Sequence, residues 1–363
     1  MKILFILELY YPNIGGNERL FKSLAESLAS QGHQVSILTT RFSKDLPEKE
    51  EINAVLIKRL PVLNRFCFTL FATCPAIRLA KKADLIHTTS YNAAFPAWIA
   101  AKVRKKKVII TFHEAWGKLW FRLPYMNSLQ RRLYYYFEQF ILGLKFDKFI
   151  AVSDYTKDCL LQNKVRPDRI IRIYNGLDYK QFKGLTHKPP EHFTFTYFGR
   201  PGNSKGLDIL MEAAPEFIRK HPKAILKLII SKSPLNIYRK IIETIDQYKL
   251  NDNTIILSGL DDKTLKDELL NSSCIVIPSY SEGFCYAAAE TIALGVPLVH
   301  SNLGALKEVV SGNNIPMKSH DTQGLLDALE KAITGLWMEA PVRKFELQNT
   351  VNEYLKLYES SLS

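Results

Sequence analysis

The amino-acid sequence predicts an α/β chain folded as two doubly wound domains, each with a parallel sheet covered on both faces. Three observations lead there. At 363 residues the chain suits two domains better than one. Short apolar runs of strand length alternate with segments of helical periodicity, the order expected of parallel strands joined by helices. That alternation stops once, across Phe182–His192, where Lys183, Gly184, Thr186, Pro189 and Pro190 gather, and then starts again.

In the first half, Ile3–Leu9 reads as a buried strand, because its apolar run is interrupted by Glu8 and is too short for the core of a signal peptide. Asn17–Gln31 places Leu20, Phe21, Leu24, Ala25 and Leu28 on one helical stripe, and Gly32 stops it. Val35–Thr39, Asp84–Thr88, Val108–Phe112 and Phe149–Ser153 read as further strands, with helices through Phe95–Lys102 and Thr156–Asn163. In the second half, strands are expected at Phe193–Phe198, Ala224–Ile230, Thr254–Ser258, Cys274–Ile277 and Pro297–His300. Helices are expected at Leu207–His221, Leu235–Tyr248, Asp262–Asn271, Ala287–Leu294 and Gly304–Val310. Val351, Tyr354, Leu355 and Tyr358 recur at helical spacing, so a terminal helix should pack on a neighbouring surface. The expected organisation is a first domain over 1–181, a linker over 182–192, a second domain over 193–342, and a terminal helix over 343–363 returning to the first domain. Ligands of open α/β sheets bind beyond the carboxyl ends of the strands, so a site is expected in a cleft where the two domains face each other.

Bulk composition narrows the class. The chain is 47% apolar with 20 Phe and 17 Tyr, enough to fill sizeable cores. No apolar run reaches the roughly 18 residues of a membrane-spanning helix. Cys67, Cys74, Cys159, Cys274 and Cys285 are scattered without a C-x-x-C pair, which fits reduced, mostly buried thiols in a cytoplasmic protein and no zinc site. Residues 1–180 hold 29 Lys and Arg against 15 Asp and Glu, whereas the remainder holds 20 against 21. All the excess positive charge therefore lies in the first half, as expected of a chain that meets a polyanionic partner.

Two strand ends in the second half carry the chemistry. Strand Phe193–Phe198 runs into Gly199-Arg200-Pro201-Gly202-Asn203-Ser204-Lys205-Gly206, whose spacing is not that of a Walker A loop. It does set two cations five residues apart across a turn. A nucleoside diphosphate leaving group develops negative charge that a metal or fixed cations must stabilise. No D-x-D at a strand end and no His/Cys cluster offers a metal, so Arg200 and Lys205 are its natural substitutes. Farther on, Cys274–Ile277 delivers Pro278-Ser279-Tyr280-Ser281-Glu282-Gly283-Phe284-Cys285 to a helix start that carries Glu290. A glycine loop entering a helix leaves backbone N–H groups free for an anion. Glu282 in the loop is placed to meet a sugar, and Glu290, about two turns on, to reach ribose hydroxyls. Taken singly, such junctions are common in α/β proteins and such cations are commonly solvated.

The order F-G-R-x4-K-G, then P-S-x-x-E-G-F-x5-E, then A-L-G-x-P resembles glycosyltransferase family 4, retaining enzymes of the GT-B architecture. In the first half, Gly15-Gly16-Asn17-Glu18, Thr111-Phe112-His113-Glu114, Ser153-Asp154-Tyr155-Thr156 and Asn175-Gly176-Leu177-Asp178 are similar to that family's motifs. The resemblance spans nearly the whole chain. It implies that Arg200 and Lys205 hold the donor diphosphate, that Glu290 binds the donor ribose, and that Glu282 contacts the donor sugar. Gly199, Gly283, Phe284 and Cys285 would complete the donor loops. His113 would position the sugar, and Gly15 and Gly16 would let their loop approach phosphate. Tyr91, Asn92, Glu114, Trp116 and Ser153 are the candidates for the acceptor. Transfer would run on the front face through an oxocarbenium-like transition state, with the departing phosphate oxygen taking the acceptor proton. No cofactor or metal is implied beyond a UDP- or GDP-sugar donor. Cys285 and Tyr286 replace the glycine and small aliphatic residue usual in the family, and Ile229–Ser233 lacks its glycine-rich turn.

The basic excess suggests where the acceptor lies. Lys102-Val103-Arg104-Lys105-Lys106-Lys107 is a cationic run. Trp116–Arg122, Arg131–Phe137 and Leu60–Arg78 mix cations with exposed-type aromatics, which suits lipid headgroups; Tyr134–Leu142 reads equally well as a core helix. A glycan or polyprenyl-linked acceptor at an anionic membrane surface, on the cytoplasmic inner face, is the leading expectation. The alternatives are a soluble sugar or sugar phosphate acceptor, or an inactive sugar- or nucleic-acid-binding relative. A nucleic-acid partner is not expected, because no recognition motif accompanies the charge.

Overall fold

A computed structural model describes residues 1–13 and 15–362. They form two compact α/β units: Met1–Trp120, Leu129–Gly176 and Phe345 onward make the first, and Phe121–Ser128 with Leu177–Lys344 the second. The division differs from the expected one at 181 in two ways. The first unit closes at Gly176, and the short stretch Phe121–Ser128 belongs to the second.

The first unit begins with β1 (Lys2–Ile6), α1 (Gly16–Ser30), β2 (Gln34–Thr40), β3 (Lys49–Ile52), β4 (Val55–Leu60), α2 (Arg65–Phe71) and α3 (Thr73–Ala80). It continues with β5 (Leu85–Thr89), α4 (Ala94–Arg104), β6 (Lys107–Phe112), α5 (Ser128–Gly143), β7 (Lys148–Ala151), α6 (Asp154–Gln162) and β8 (Ile170–Arg172). Its eight strands lie in the order β3-β4-β2-β1-β5-β6-β7-β8, parallel except for the β3–β4 hairpin at one edge. That hairpin has no counterpart among the expected strands, since Lys49-Glu50-Glu51 carries no apolar run. The central strands are buried on both faces, and separate apolar clusters fill the two sides of the sheet.

Local chemistry sets the helix ends. α1 stops where Gly32, at φ +84°, accepts a left-handed turn, with its amide bonded to Ala29 O and the amide of His33 to Leu28 O. Asn64 caps α2 through the amides of Phe66 and Cys67, and Ser153 caps α6 through the amide of Thr156.

The second unit contains β9 (Thr194–Phe198), α7 (Leu207–Lys220), β10 (Ile225–Ile229), α8 (Leu235–Gln247), β11 (Thr254–Leu257), α9 (Asp262–Leu270) and β12 (Cys274–Ile277). It ends with α10 (Tyr286–Ala293), β13 (Leu298–His300), α11 (Leu306–Val309), β14 (Gly312–Pro316), α12 (Thr322–Ile333) and β15 (Met338–Ala340). Its sheet runs β11-β10-β9-β12-β13-β14-β15, parallel up to the antiparallel edge strand β15. α12 had no counterpart in the sequence reading, yet Asp321 caps it and Leu325, Leu326 and Leu329 bury its inner face.

The terminal helix, α13 (Leu347–Leu362), packs within the first unit. Tyr354 and Tyr358 are fully buried there: Tyr358 Oη lies 2.5 Å from Nδ1 of His87, and Thr111 joins His87 and Tyr354. A Cβ on Gly176 would overlap the backbone of Leu347, so glycine at that position lets α13 begin where it does.

Candidate functional site

In the second unit the chain leaves β9 toward β10 and β11, then returns to lay β12 on the other flank of β9. The strand order reverses between β9 and β12, and the loops leaving those two strands open into the resulting crevice. These are the two loops that carry Arg200, Lys205 and Glu282.

The first loop turns at Gly199, whose φ of +134° favours glycine, and then exposes Arg200. Among the described residues none forms a hydrogen bond or ion pair with the Arg200 guanidinium. Lys205 is different. Its Nζ donates to both oxygens of Glu282, at 3.0 and 2.9 Å. Gly206 enters α7 at φ +67°, and a Cβ there would overlap the carbonyl oxygen of Pro278, so only glycine allows the two loops this approach. The amide of Tyr280 donates to Ser204 O at 2.8 Å and locks the loops together.

The second loop is braced around Glu282, whose side chain is only 8% exposed. Ser279 Oγ donates to its Oε1 at 2.7 Å, and the amide of Ala305 donates to its backbone oxygen at 2.9 Å. Ser301 Oγ holds Ser279 O, and His320 Nε2 holds Pro278 O while its ring meets Tyr280 edge-on at 4.4 Å. Ser301 and His320 belong to no sequence motif, and the motif that contains Ser279 does not give its bracing role. Their role depends on backbone oxygens brought near by the sheet, which no spacing rule reports. Tyr280 donates to Asp208 Oδ2 at 2.7 Å, and burial pushes its phenol up.

Gly283 and Phe284 are buried, Phe284 packing edge-on against Tyr286 at 5.3 Å. Cys285 is buried at φ +72°, a backbone conformation that L side chains rarely adopt. It stands where the family's glycine was expected, so the turn into α10 keeps glycine geometry without glycine. Glu290 lies inside α10 and is 8% exposed.

In the first unit the order reverses between β1 and β5. Asn92, after β5, bonds through Nδ2 to Glu8 Oε2 at 2.8 Å and accepts from Thr69 through Oδ1. Both ends of that amide are thus committed within the unit. Arg65 also pairs with Glu8, at 2.9 Å. Gly15 precedes α1, Gly16 is its first residue, and Ile14 lies outside the described residues. The space a side chain on Gly15 would fill is taken by the Glu18 carboxylate, which Asn13 holds at 2.6 Å.

Glu138, on α5, was not foreseen, and it organises the remaining acceptor candidates. Its buried carboxylate accepts from the amide of Trp116 at 2.9 Å, from the amide of Gly117 at 2.6 Å, and from Tyr91 Oη at 2.9 Å. Burial raises the Glu138 carboxyl and these donors oppose the rise; burial and the neighbouring carboxylate both raise the Tyr91 phenol. Tyr91 itself sits at φ +71°. Glu114 is half-buried beside this network, its backbone oxygen 3.4 Å from Tyr91 Oη. Ser153 is fully buried as the α6 cap, with its hydroxyl 3.0 Å from Thr156 Oγ1. His113 is half-buried, and burial lowers its pKa to about 4, which leaves a neutral imidazole at neutral pH. Among the described residues its Nε2 has no hydrogen-bond partner. Among the described residues no group of three or more His, Cys, Asp or Glu is placed to hold a metal ion.

The architecture and these motifs define a two-domain GT-B glycosyltransferase class. The chain matches the family model for Glycosyltransferase Family 4 over residues 14–181 and that for Glycosyl transferases group 1 over residues 179–361. It belongs to the group 1 glycosyltransferases and is a hexosyltransferase-type enzyme. Among curated relatives, it is 25% identical over 344 residues to a human phosphatidylinositol N-acetylglucosaminyltransferase subunit, covering 91% of this chain and 68% of that one. The counterpart from Arabidopsis thaliana is 23% identical over 345 residues, covering 92% and 74%. Among solved structures, sucrose-phosphate synthase from Thermosynechococcus elongatus superposes with a TM-score of 0.80 at 18% identity, covering 99% of each chain. Anabaena HepE in complex with UDP-glucose gives 0.78 at 16% identity, covering 99% of this chain and 100% of that one. Among the described residues no helix is long and apolar enough to cross a membrane.

Proposed function

We propose that this protein is a retaining, metal-independent glycosyltransferase that moves a sugar from a UDP- or GDP-sugar to a lipid-linked or glycan acceptor at the cytoplasmic face of the inner membrane. The observation that carries the reading is the pairing of Lys205 with Glu282 at the strand-order reversal between β9 and β12, in a loop that also presents the exposed Arg200. Arg200 supplies an uncommitted cation for the diphosphate, and Lys205 a cation already oriented by a buried carboxylate. Preorganised cations stabilise charge that develops on the leaving phosphate without reorganising during reaction. Glu290 is assigned to the donor ribose. His113, neutral and with Nε2 uncommitted, is suited to a hydrogen bond with a sugar hydroxyl. The acceptor hydroxyl attacks the anomeric carbon, the sugar–phosphate bond breaks, and the departing phosphate oxygen takes the proton, so no separate base is required. The relatives named for phosphatidylinositol support a lipid acceptor, and the neighbour bound to UDP-glucose supports a nucleotide-sugar donor.

The test is a thermal-shift panel of UDP-, GDP- and ADP-sugars, followed by nucleotide release from the best donor. One donor should raise the melting temperature by several degrees at saturation, since a ligand at about 100 times its Kd adds roughly 2.7 kcal/mol. Arg200→Ala should abolish that rise. Indifference of the wild-type protein to every nucleotide sugar would overturn the proposal.

A further inference from the structure

We propose that the face of the first unit built from α2 and α5 is the surface that docks on an anionic lipid bilayer. This deepens, and rests on, the reading of a membrane-linked acceptor given above. On α5, Leu129, Leu133, Tyr136 and Phe140 are all exposed, Tyr136 by 66%. Their spacing of four, three and four residues puts them on one stripe. The opposite side of the same helix buries Glu138, Ile141 and Leu142. A helix of a soluble protein turns its apolar stripe inward; this one has a second stripe turned out. α2 adds Phe66, Leu70 and Phe71, with Leu70 68% exposed, and Leu63 just before the helix is 96% exposed. The two helices are neighbours: the Phe66 ring stacks on Tyr134, on the flank of α5 beside the exposed stripe, with centroids 6.5 Å apart.

Charge identifies the occupant. From Pro61 to Ala83 the chain has no Asp or Glu. The one acidic residue of α5, Glu138, is fully buried. Arg65 on α2, Arg132 on α5 and Arg78 on α3, the helix that follows α2, are exposed. Apolar side chains that can enter the acyl boundary, beside cations at headgroup level and with no exposed carboxylate on α2 or α5, complement an anionic bilayer. A second copy of the chain fits less well, since a two-fold contact through this face would set cations against cations.

The face also leads inward. Rings continue from Phe66 to Tyr134, then to Trp120 at 5.2 Å and Trp116 at 4.4 Å, and Tyr91 meets Trp120 at 6.3 Å. Trp116 and Tyr91 are two of the acceptor candidates, so packed rings join this face to the region where the acceptor is expected.

The full chain should float with vesicles containing phosphatidylglycerol at low salt, and at least about tenfold less with phosphatidylcholine alone or at high salt. The double variant Leu70→Gln/Tyr136→Gln, whose side chains are both exposed, should lose roughly tenfold or more of the vesicle-bound fraction. Its nucleotide-sugar thermal shift should match wild type. Arg132→Glu should weaken binding and flatten its salt dependence. Three outcomes overturn the docking face: no flotation of the wild type, flotation of the double variant equal to wild type, or a wild-type dimer in sedimentation that the variant dissolves while flotation is unchanged. Flotation that persists in a protein blind to every nucleotide sugar would instead defeat the enzymatic reading and leave the docking face standing.

Discussion

Replacing Lys205 with Met should destabilise the second unit even in the absence of any ligand. Lys205 Nζ lies 2.9 and 3.0 Å from the two oxygens of Glu282, whose side chain is 8% exposed against 31% for the lysine. At such separations the attraction is about 5 kcal/mol for an effective dielectric near 20. Removing one partner of a fully buried pair costs roughly 3–5 kcal/mol, because the remaining charge is left in a poor solvent. The lysine is nearly a third exposed, so water screens part of that, and a loss of about 2 kcal/mol is expected. Glu282→Gln keeps an acceptor for Ser279 Oγ and leaves a lysine that can reach water, so about 1 kcal/mol is expected. The double variant removes both charges and should cost less than the two singles together, with a coupling of about 2 kcal/mol. Urea titrations give the four stabilities, and hydrogen exchange across residues 278–290 tells whether the loss is local, since the Tyr280 amide is held by Ser204 O. A Lys205→Met variant within about 0.5 kcal/mol of wild type, or strictly additive effects, would refute the view that the cation is preorganised by Glu282.

Arg200→Ala should leave stability unchanged within about 0.5 kcal/mol, since the side chain is exposed and unpaired, while lowering turnover by roughly a hundredfold; a large stability loss would mean the guanidinium is structural. Gly206→Ala should cost several kcal/mol, on the order of 3, because a Cβ overlaps Pro278 O and φ is +67°; unchanged melting would show that the loops separate freely. Cys285→Gly should be more stable than Cys285→Ala by about 1 kcal/mol, since only the backbone strain at φ +72° distinguishes them in kind; equal stability would remove that strain. Burial holds His87 at about 3 and His300 at about 4, below their usual 6.5, so both stay neutral when folded and gain protons first when unfolded. Stability is therefore flat above pH 6.5 and falls as pH drops toward 4, by roughly 2 kcal/mol per histidine at pH 5; urea midpoints at pH 7.5 and 5 check this, and equal values would refute it.

The sequence reading was strongest where an element's identity is local. The stripe Leu20–Leu28 closed by Gly32, the apolar runs of β9 and β12, and the spacing of Tyr354 and Tyr358 each carry their own instruction, whatever surrounds them. It was weakest where a residue's role depends on distant partners. Ser153 looked available beside a strand end, but its hydroxyl is the α6 cap. Glu138 belongs to no motif, but the amides of Trp116 and Gly117 and the Tyr91 phenol make it the anchor of a loop. Likewise Gly15 gives room to Glu18, a neighbour only three residues on whose direction no pattern specifies.

By itself, then, the residue order determined a two-unit α/β chain and the strand ends that carry Arg200, Lys205, Glu282 and Glu290, because hydrophobic period and turn chemistry act over a few residues. Tertiary structure alone decided that β12 returns beside β9 and so brings Lys205 within reach of Glu282, 77 positions away. It also decided which of the two apolar sides of α5 is buried and which is left facing out. Those choices follow from strand pairing and packing between segments far apart in the chain, and periodicity records that a face is apolar without recording what covers it.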